Sequence, residues 1–203
     1  MYSGLNYKQC NASNSLQESS KNFPDNEHKN KDIVNNLQVI DKNIVNLTEK
    51  QCKIIQETFK VYGKNGVDNT LKVFIRMFIE NPEYKYIWPQ FRQIPDSSFI
   101  LSTSLRQHAI VYLGGLKSMI ENVNDKEKIE ILVKKIAYAH IKWEIKKRHV
   151  DNMVPELLFV LKDILPNYNK DIEDAWKSLY TIIGNLLEKS KKDQKNEKLL
   201  FHE

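Results

Sequence analysis

Apolar residues recur every three or four positions along most of this chain, and that spacing most constrains the fold. It is the pattern of an amphipathic helix with one buried face, and it returns in segments that end at glycine or proline. With six glycines and six prolines in 203 residues, the chain has few of the turns that a sheet protein needs. The sequence therefore predicts an all-α fold.

Local signals place several helix ends. Thr48 and Gln51 match a capping box, which predicts that a helix begins there. Pro82 ends the second helical segment. Two long helices are predicted over residues 102–123 and 126–143. The remaining predicted helices are 154–165, with Pro155 in its first turn, and a last helix that starts after Pro166.

Composition divides the chain into three parts. Residues 1–44 are rich in Asn, Ser and Lys and poor in periodic apolar residues, which is typical of a disordered extension. Residues 45–190 carry nearly all the helical signals and predict one domain, and residues 191–203 form a Lys-rich tail. The net charge is +5, but Lys and Glu alternate as on a solvated helix surface, so nucleic-acid binding is not expected.

Several functional classes lack their signals. Cys10 and Cys52 make neither a disulfide framework nor a metal motif, and whether they pair stays open. We expect a cytoplasmic protein without a transmembrane segment, because no secretion signal and no membrane-length apolar run is found. No phosphate loop, nucleophile elbow or zinc-protease motif is found. No catalytic residue is therefore predicted.

Two histidines stand on the apolar faces of the two long predicted helices. His108 follows Leu105 by three residues, and His140 follows Ile136 by four. A buried imidazole needs a partner, since leaving a polar ring unpaired inside a protein is costly. Backbone carbonyls would satisfy either histidine alone. The pair among aromatic residues favours a shared ligand, and haem iron binds imidazole on one or both of its axial faces.

Five segments, in this order, resemble the globin family, and nerve-type and nematode intracellular globins in particular. They are TEKQCKIIQETF at 48–59, VFIRMFIENPEYKYIWPQF at 73–91, LRQHAIVYL at 105–113, KKIAYAHIKW at 134–143 and AWKSLYTII at 175–183. The two histidines lie 32 residues apart (140 minus 108). The resemblance implies the globin fold, with helices packed around a pocket that holds haem b and its iron.

The resemblance also implies roles for individual residues. His140 would be the proximal iron ligand, and His108 the distal residue or a sixth ligand. The implied cofactor-binding residues are Phe74, Trp88, Phe91, Tyr112, Ile145, Val154 and Leu158. Trp88 departs from the family, which has phenylalanine there. The connection after His140 also departs, because it lacks the usual glycine and carries the basic residues 146–148.

The function that the resemblance implies is reversible binding of oxygen and other diatomic gases. Two alternatives stay open. One is a bis-histidyl redox, electron-transfer or gas-sensor globin with a redox or signalling partner. The other is a haem-free globin-like interaction module. We do not expect an enzyme, since nitric oxide dioxygenase or peroxidase side activity would need an external electron source. A homodimer also stays open.

Overall fold

The computed structural model describes residues 47–141 and 143–200, and the side chains of these residues except Ile141 and residues 194–200. They belong to one unit, Asp41–Glu203. The predicted disordered extension, with Cys10, lies outside the described residues, as do the last three residues of the predicted tail.

Helices make up every regular element of the described part of the chain, which confirms the predicted all-α class. The α-helices are α1 (Glu49–Lys64), α2 (Gly66–Glu80), α3 (Pro89–Arg92), α4 (Asp96–Phe99), α5 (Thr103–Glu121), α6 (Lys126–Ile141), α7 (Lys147–Asp151), α8 (Val154–Ile164) and α9 (Lys170–Leu200). A 3-10 helix spans Pro82–Ile87. None of the described helices is long and apolar enough to cross a membrane.

Short polar contacts explain where these helices begin. The Thr48 hydroxyl accepts a hydrogen bond from Gln51 N–H at 3.2 Å, and Gln51 Oε1 accepts one from Thr48 N–H at 2.9 Å. This is the predicted capping box, in which each residue satisfies a free backbone N–H of the other. Ser102 caps α5 in the same way, because its Oγ accepts from Leu105 N–H at 3.2 Å.

The C-terminal helix is longer than the sequence pattern indicates. It continues without a break through Ser190, where the predicted domain ends, to Leu200 in the Lys-rich segment. The predicted 126–143 helix is shorter and ends at Ile141. The stretch from Pro82 to Asp96 has no long helix, in agreement with its prolines, but holds the 3-10 helix and α3.

Close helix contacts bring the elements around one cavity. Helix α5 packs on α2, and α9 packs on α1, α6, α7 and α8. A Cβ atom at Gly66 would lie 2.7 Å from Leu113 Cδ2, so the start of α2 approaches α5 more closely than a larger residue allows.

Helix α9 also holds the connection that follows α6. Glu188 Oε1 accepts a hydrogen bond from Lys147 N–H at 2.9 Å, and Lys191 Nζ donates to the Ile145 carbonyl. A Cβ atom at Gly184 would lie 2.9 Å from Lys147 Cγ, which shows how closely α9 approaches α7. These contacts fix the backbone a few residues after His140.

The buried apolar side chains form two clusters. One lies among α1, α5, α6, α8 and α9 and contains Trp176, whose Nε1 donates to Thr58 Oγ1 at 3.0 Å. The other is rich in aromatic residues from α2 to α5 and includes Phe74, Phe91 and Ala137. The second cluster surrounds the candidate site.

Candidate functional site

His140 lies near the C-terminal end of α6, and its imidazole is oriented by its own helix. Its Nδ1 is 2.8 Å from the Ile136 carbonyl oxygen, four residues earlier. Because a carbonyl only accepts, Nδ1 carries the proton and donates, and Nε2 keeps a free lone pair. Burial lowers the pKa of His140, and the nearby Lys191 charge lowers it further against the opposite effect of the Ile136 bond. The ring is therefore a neutral, oriented imidazole with one nitrogen available to a ligand or metal.

His108 lies on α5 among aromatic rings. Its ring stacks on Phe74 with centroids 5.2 Å apart, and meets Trp88 at 5.4 Å and Phe91 at 5.5 Å. Burial, with a smaller contribution from His140, lowers the pKa of His108 to about 4. This imidazole is therefore neutral near pH 7, as a metal ligand must be.

A cavity of about 320 Å³ has both histidines in its wall. Its volume falls in the range of small-molecule and cofactor sites, and its lining is mostly apolar. Side chains from α2, α5, α6 and α9 and from the segment 145–153 surround it. The sequence-predicted residues that line it are Phe74, Trp88, His108, Tyr112, His140 and Ile145.

Three predicted cofactor-binding residues do not line this cavity. Phe91 is fully buried behind it and contacts two of its lining residues, His108 and Trp88. Leu158 is buried in the cluster around Trp176, and Val154 packs against that cluster. Helix α8 begins at Val154. The cavity is lined instead by Val150 and Met153, which come just before this helix.

Several lining residues are not among the predicted cofactor-binding residues, including Met77, His149 and Tyr180. Tyr180 lies at helical spacing from Trp176 and Ile183 in the last predicted helix, and that spacing is the signal that would have found it. His149 sits in a basic stretch that reads as exposed, but it is only 6% exposed. Its ring meets Tyr84 edge-on at 4.7 Å, and its Nδ1 accepts from Lys146 N–H at 3.0 Å.

The polar groups of the cavity wall are mostly engaged with one another. The Tyr112 and Tyr180 hydroxyls share a hydrogen bond, and burial raises the pKa of both phenols, so both are neutral. Burial, with the nearby charges of Arg148, Lys191 and Lys146, lowers the pKa of His149 to about 4. Trp88 Nε1 is buried without a hydrogen-bond partner among the described residues.

The basic residues after His140 are also partly engaged. Lys147 Nζ pairs with Asp151 at 2.7 Å, and Arg148 Nε lies 3.2 Å from His149 Nε2. Lys135, from α6, lies in the cavity wall itself.

A larger cavity of about 660 Å³ opens among α1, α6 and α9, but no described histidine lines it. Its wall includes Cys52, whose thiol points to the Val123 carbonyl at 3.9 Å and whose pKa is raised mainly by burial. A protonated, buried thiol is a weak nucleophile. We therefore assign the site to the smaller cavity, where oriented neutral imidazoles converge.

The donor set fits a metal that arrives inside a cofactor. No group of three or more His, Cys, Asp or Glu side chains suited to a bare metal ion occurs among the described residues. Two neutral histidines on one apolar cavity, one of them oriented through Nδ1, fit the imidazole chemistry by which proteins hold haem iron. The fold and the site thus define the class of protein, an all-helical domain with a haem-type pocket.

The chain belongs to the globin family. The family profile, described as Globin, matches residues 71–187, which is more than half of the chain. The chain is 26% identical over 140 residues to cytoglobin-2 of Oryzias latipes, covering 68% of this chain and 78% of that protein. It is 30% identical over 154 residues to a flavohemoprotein of Oceanobacillus iheyensis, covering 75% of this chain but 35% of that protein.

A solved structure shares the fold. It is the crystal structure of a hexacoordinated heme protein from an anhydrobiotic tardigrade at pH 4. The TM-score is 0.64 with 16% sequence identity, covering 72% of this chain and 96% of the other. Membership of the globin family supports haem binding, with binding of diatomic gases as the general activity.

Proposed function

We propose that this protein binds haem b with His140 as the proximal iron ligand and reversibly binds oxygen and other diatomic gases. The observation that carries the proposal is the His140 Nδ1 contact with the Ile136 carbonyl, which leaves Nε2 free on an apolar cavity that His108 also lines. Haem, when bound to His140, would supply an iron atom that can bind a gas. The rest of the function belongs to the side chains around it.

His108 acts on the distal side in one of two ways. As a neutral imidazole it can donate one hydrogen bond to a polarised gas ligand through its N–H. Its other nitrogen could instead hold the iron, and His108 would then compete with the gas. In that case the apparent gas affinity falls by the fraction of molecules in which His108 is detached.

The second candidate function is a bis-histidyl redox or gas-sensor globin. Two observations favour it: His108 is neutral, and the rings of Phe74, Trp88 and Phe91 fix its position on the cavity. The tardigrade neighbour, whose title describes a hexacoordinated heme protein, is consistent with this arrangement. Two permanent axial histidines would favour electron exchange or sensing over gas carriage.

An enzymatic role is a weaker proposal. Flavohemoproteins are among the relatives, but the chain spans only about a third of their length. A nitric oxide dioxygenase or peroxidase activity would need a supply of electrons to the haem.

Visible absorption spectra of the haem-loaded protein test these proposals. We expect hemin to bind wild type and not His140→Ala, because the variant loses the oriented ligand. A six-coordinate reduced spectrum that becomes five-coordinate in His108→Ala identifies His108 as the sixth ligand and favours the redox or sensor role. A five-coordinate reduced wild type that takes up carbon monoxide quickly favours gas binding.

His149→Ala is the matched control, because it removes the third histidine of the cavity and spares both proposed ligands. If His149→Ala, rather than His108→Ala, changes the coordination, our assignment of the distal ligand is wrong. If wild type fails to retain hemin, the whole proposal is wrong and the domain is a haem-free interaction module.

A further inference from the structure

The indole nitrogen of Trp88 is a buried hydrogen-bond donor without a partner among the described residues. This Nε1 is the one buried side-chain nitrogen or oxygen without a hydrogen-bond partner in the part of the chain that the structure describes. The residue is 6% exposed, so bulk solvent reaches little of it. Buried donors in native proteins are nearly always paired, and an exception calls for an explanation.

Neighbouring rings hold the Trp88 indole in place. Phe78 meets it edge-on at 5.9 Å, Phe91 lies at 5.8 Å, and the His108 ring lies at 5.4 Å. Phe91 is fully buried and Phe78 is 8% exposed. Because these rings are themselves packed, the indole has no room to swing towards solvent. The open space that it borders is the cavity.

The other polar groups of the cavity do not take this proton. The Tyr112 and Tyr180 hydroxyls hydrogen-bond each other, and Nδ1 of His140 donates to its own helix. An indole N–H only donates, so its missing partner must be an acceptor. A buried donor bonds most strongly to a charged acceptor.

We infer that Trp88 Nε1–H donates a hydrogen bond to an anionic acceptor held inside the cavity. The inference rests on the proposed haem function. Two sources present this chemistry, namely a propionate carboxylate of the cofactor and a small anionic or polarised ligand of its iron. With this donor the pocket discriminates among ligands, favouring those that accept a hydrogen bond over apolar ones of similar size.

The main experiment compares haem-loaded wild type with Trp88→Phe. This change keeps an aromatic ring and removes the donor. The matched control is Trp176→Phe, which removes an indole N–H that is bonded to Thr58 and does not line the cavity. A second variant replaces Trp88 by 3-benzothienylalanine, in which sulfur takes the place of N–H. It preserves the bicyclic shape if phenylalanine leaves a void that prevents haem uptake.

Two arms distinguish the acceptors. In the ferric protein, fluoride is the anionic probe, and loss of a charge-assisted hydrogen bond weakens its binding about ten- to a hundredfold. Carbon monoxide on the ferrous protein gives a spectroscopic reading, since its C–O stretching frequency rises when a nearby donor is removed. For the propionate arm, haem dimethyl ester replaces haem, and Trp88→Phe accelerates the loss of haem but not of the uncharged ester.

Each result of these experiments supports one acceptor or contradicts one proposal. A fluoride and C–O effect in Trp88→Phe, absent in Trp176→Phe, identifies an iron ligand as the acceptor. An effect limited to haem loss identifies the propionate. If both Trp88 variants match wild type in every arm, the inference is wrong while the haem proposal stands. If wild type takes up no haem, the proposed function fails first.

Discussion

Replacing His108 by phenylalanine is expected to reduce the loss of stability that the haem-free protein undergoes as the pH falls from 7 to 4. In the folded chain burial lowers the pKa of His108 to about 4, against 6.5 for the free side chain. Well above pH 6.5 the ring is neutral in both states, so it adds no pH dependence to the free energy of unfolding. As the pH falls towards 4, the unfolded chain binds a proton that the folded chain refuses, so the free energy of unfolding decreases.

The size of this effect follows from the two pKa values. They differ by about 2.5 pH units, and each unit corresponds to about 1.4 kcal/mol. The loss contributed by His108 therefore approaches about 3 kcal/mol once the pH is below 4, and is absent above about pH 7. Phenylalanine suits the site because Phe74, Trp88 and Phe91 already surround the ring.

Urea unfolding at several pH values between 7 and 4 measures this difference. The other histidines titrate in both proteins, so the difference between wild type and His108→Phe isolates His108. Met77→Leu is the control, since it alters another part of the same cavity wall without a titrating group and is expected to shift stability equally at every pH. Parallel pH curves for wild type and His108→Phe would refute the argument that burial holds this ring neutral.

Two local contacts give further predictions. Thr48→Ala removes the capping oxygen of α1 and is expected to lower the free energy of unfolding by about 1 kcal/mol in urea, whereas Thr48→Ser keeps it; equal stability of all three proteins would contradict this. Glu188→Ala removes the acceptor of Lys147 N–H, so exchange of that amide, followed by NMR, is expected to be about tenfold faster. Glu188→Gln retains an acceptor oxygen, and equally fast exchange in both variants would argue against this role.

Much of the fold was predictable because it depends on local chemistry. Thr48 and Gln51 satisfy each other's backbone across one helical turn, and Pro82 cannot continue a helix, so both signals read directly from the sequence. The inner faces of α5 and α6 followed from spacing, which brought His108 and His140 to one cavity.

The rest of the site depends on contacts between distant parts of the chain. Whether Val154 or Met153 reaches the cavity depends on where α8 begins, and one residue along a helix turns a side chain by about a hundred degrees. The burial of His149 depends on the contact between α7 and α9, whereas its basic neighbours in the sequence suggest an exposed residue. The lack of a partner for Trp88 Nε1 is a property of the packed structure that its sequence neighbours do not reveal.

The contacts of α9 with the segment after α6 also set an order of events during synthesis. Glu188 and Lys191 lie 41 and 46 residues after the backbone groups that they hold. At about 5 to 20 residues per second, a ribosome takes roughly 2 to 8 s to add the first of these intervals. Throughout that time the connection beside His140 lacks its restraints. A nascent chain thus carries His140 for seconds before the wall beside that histidine is complete.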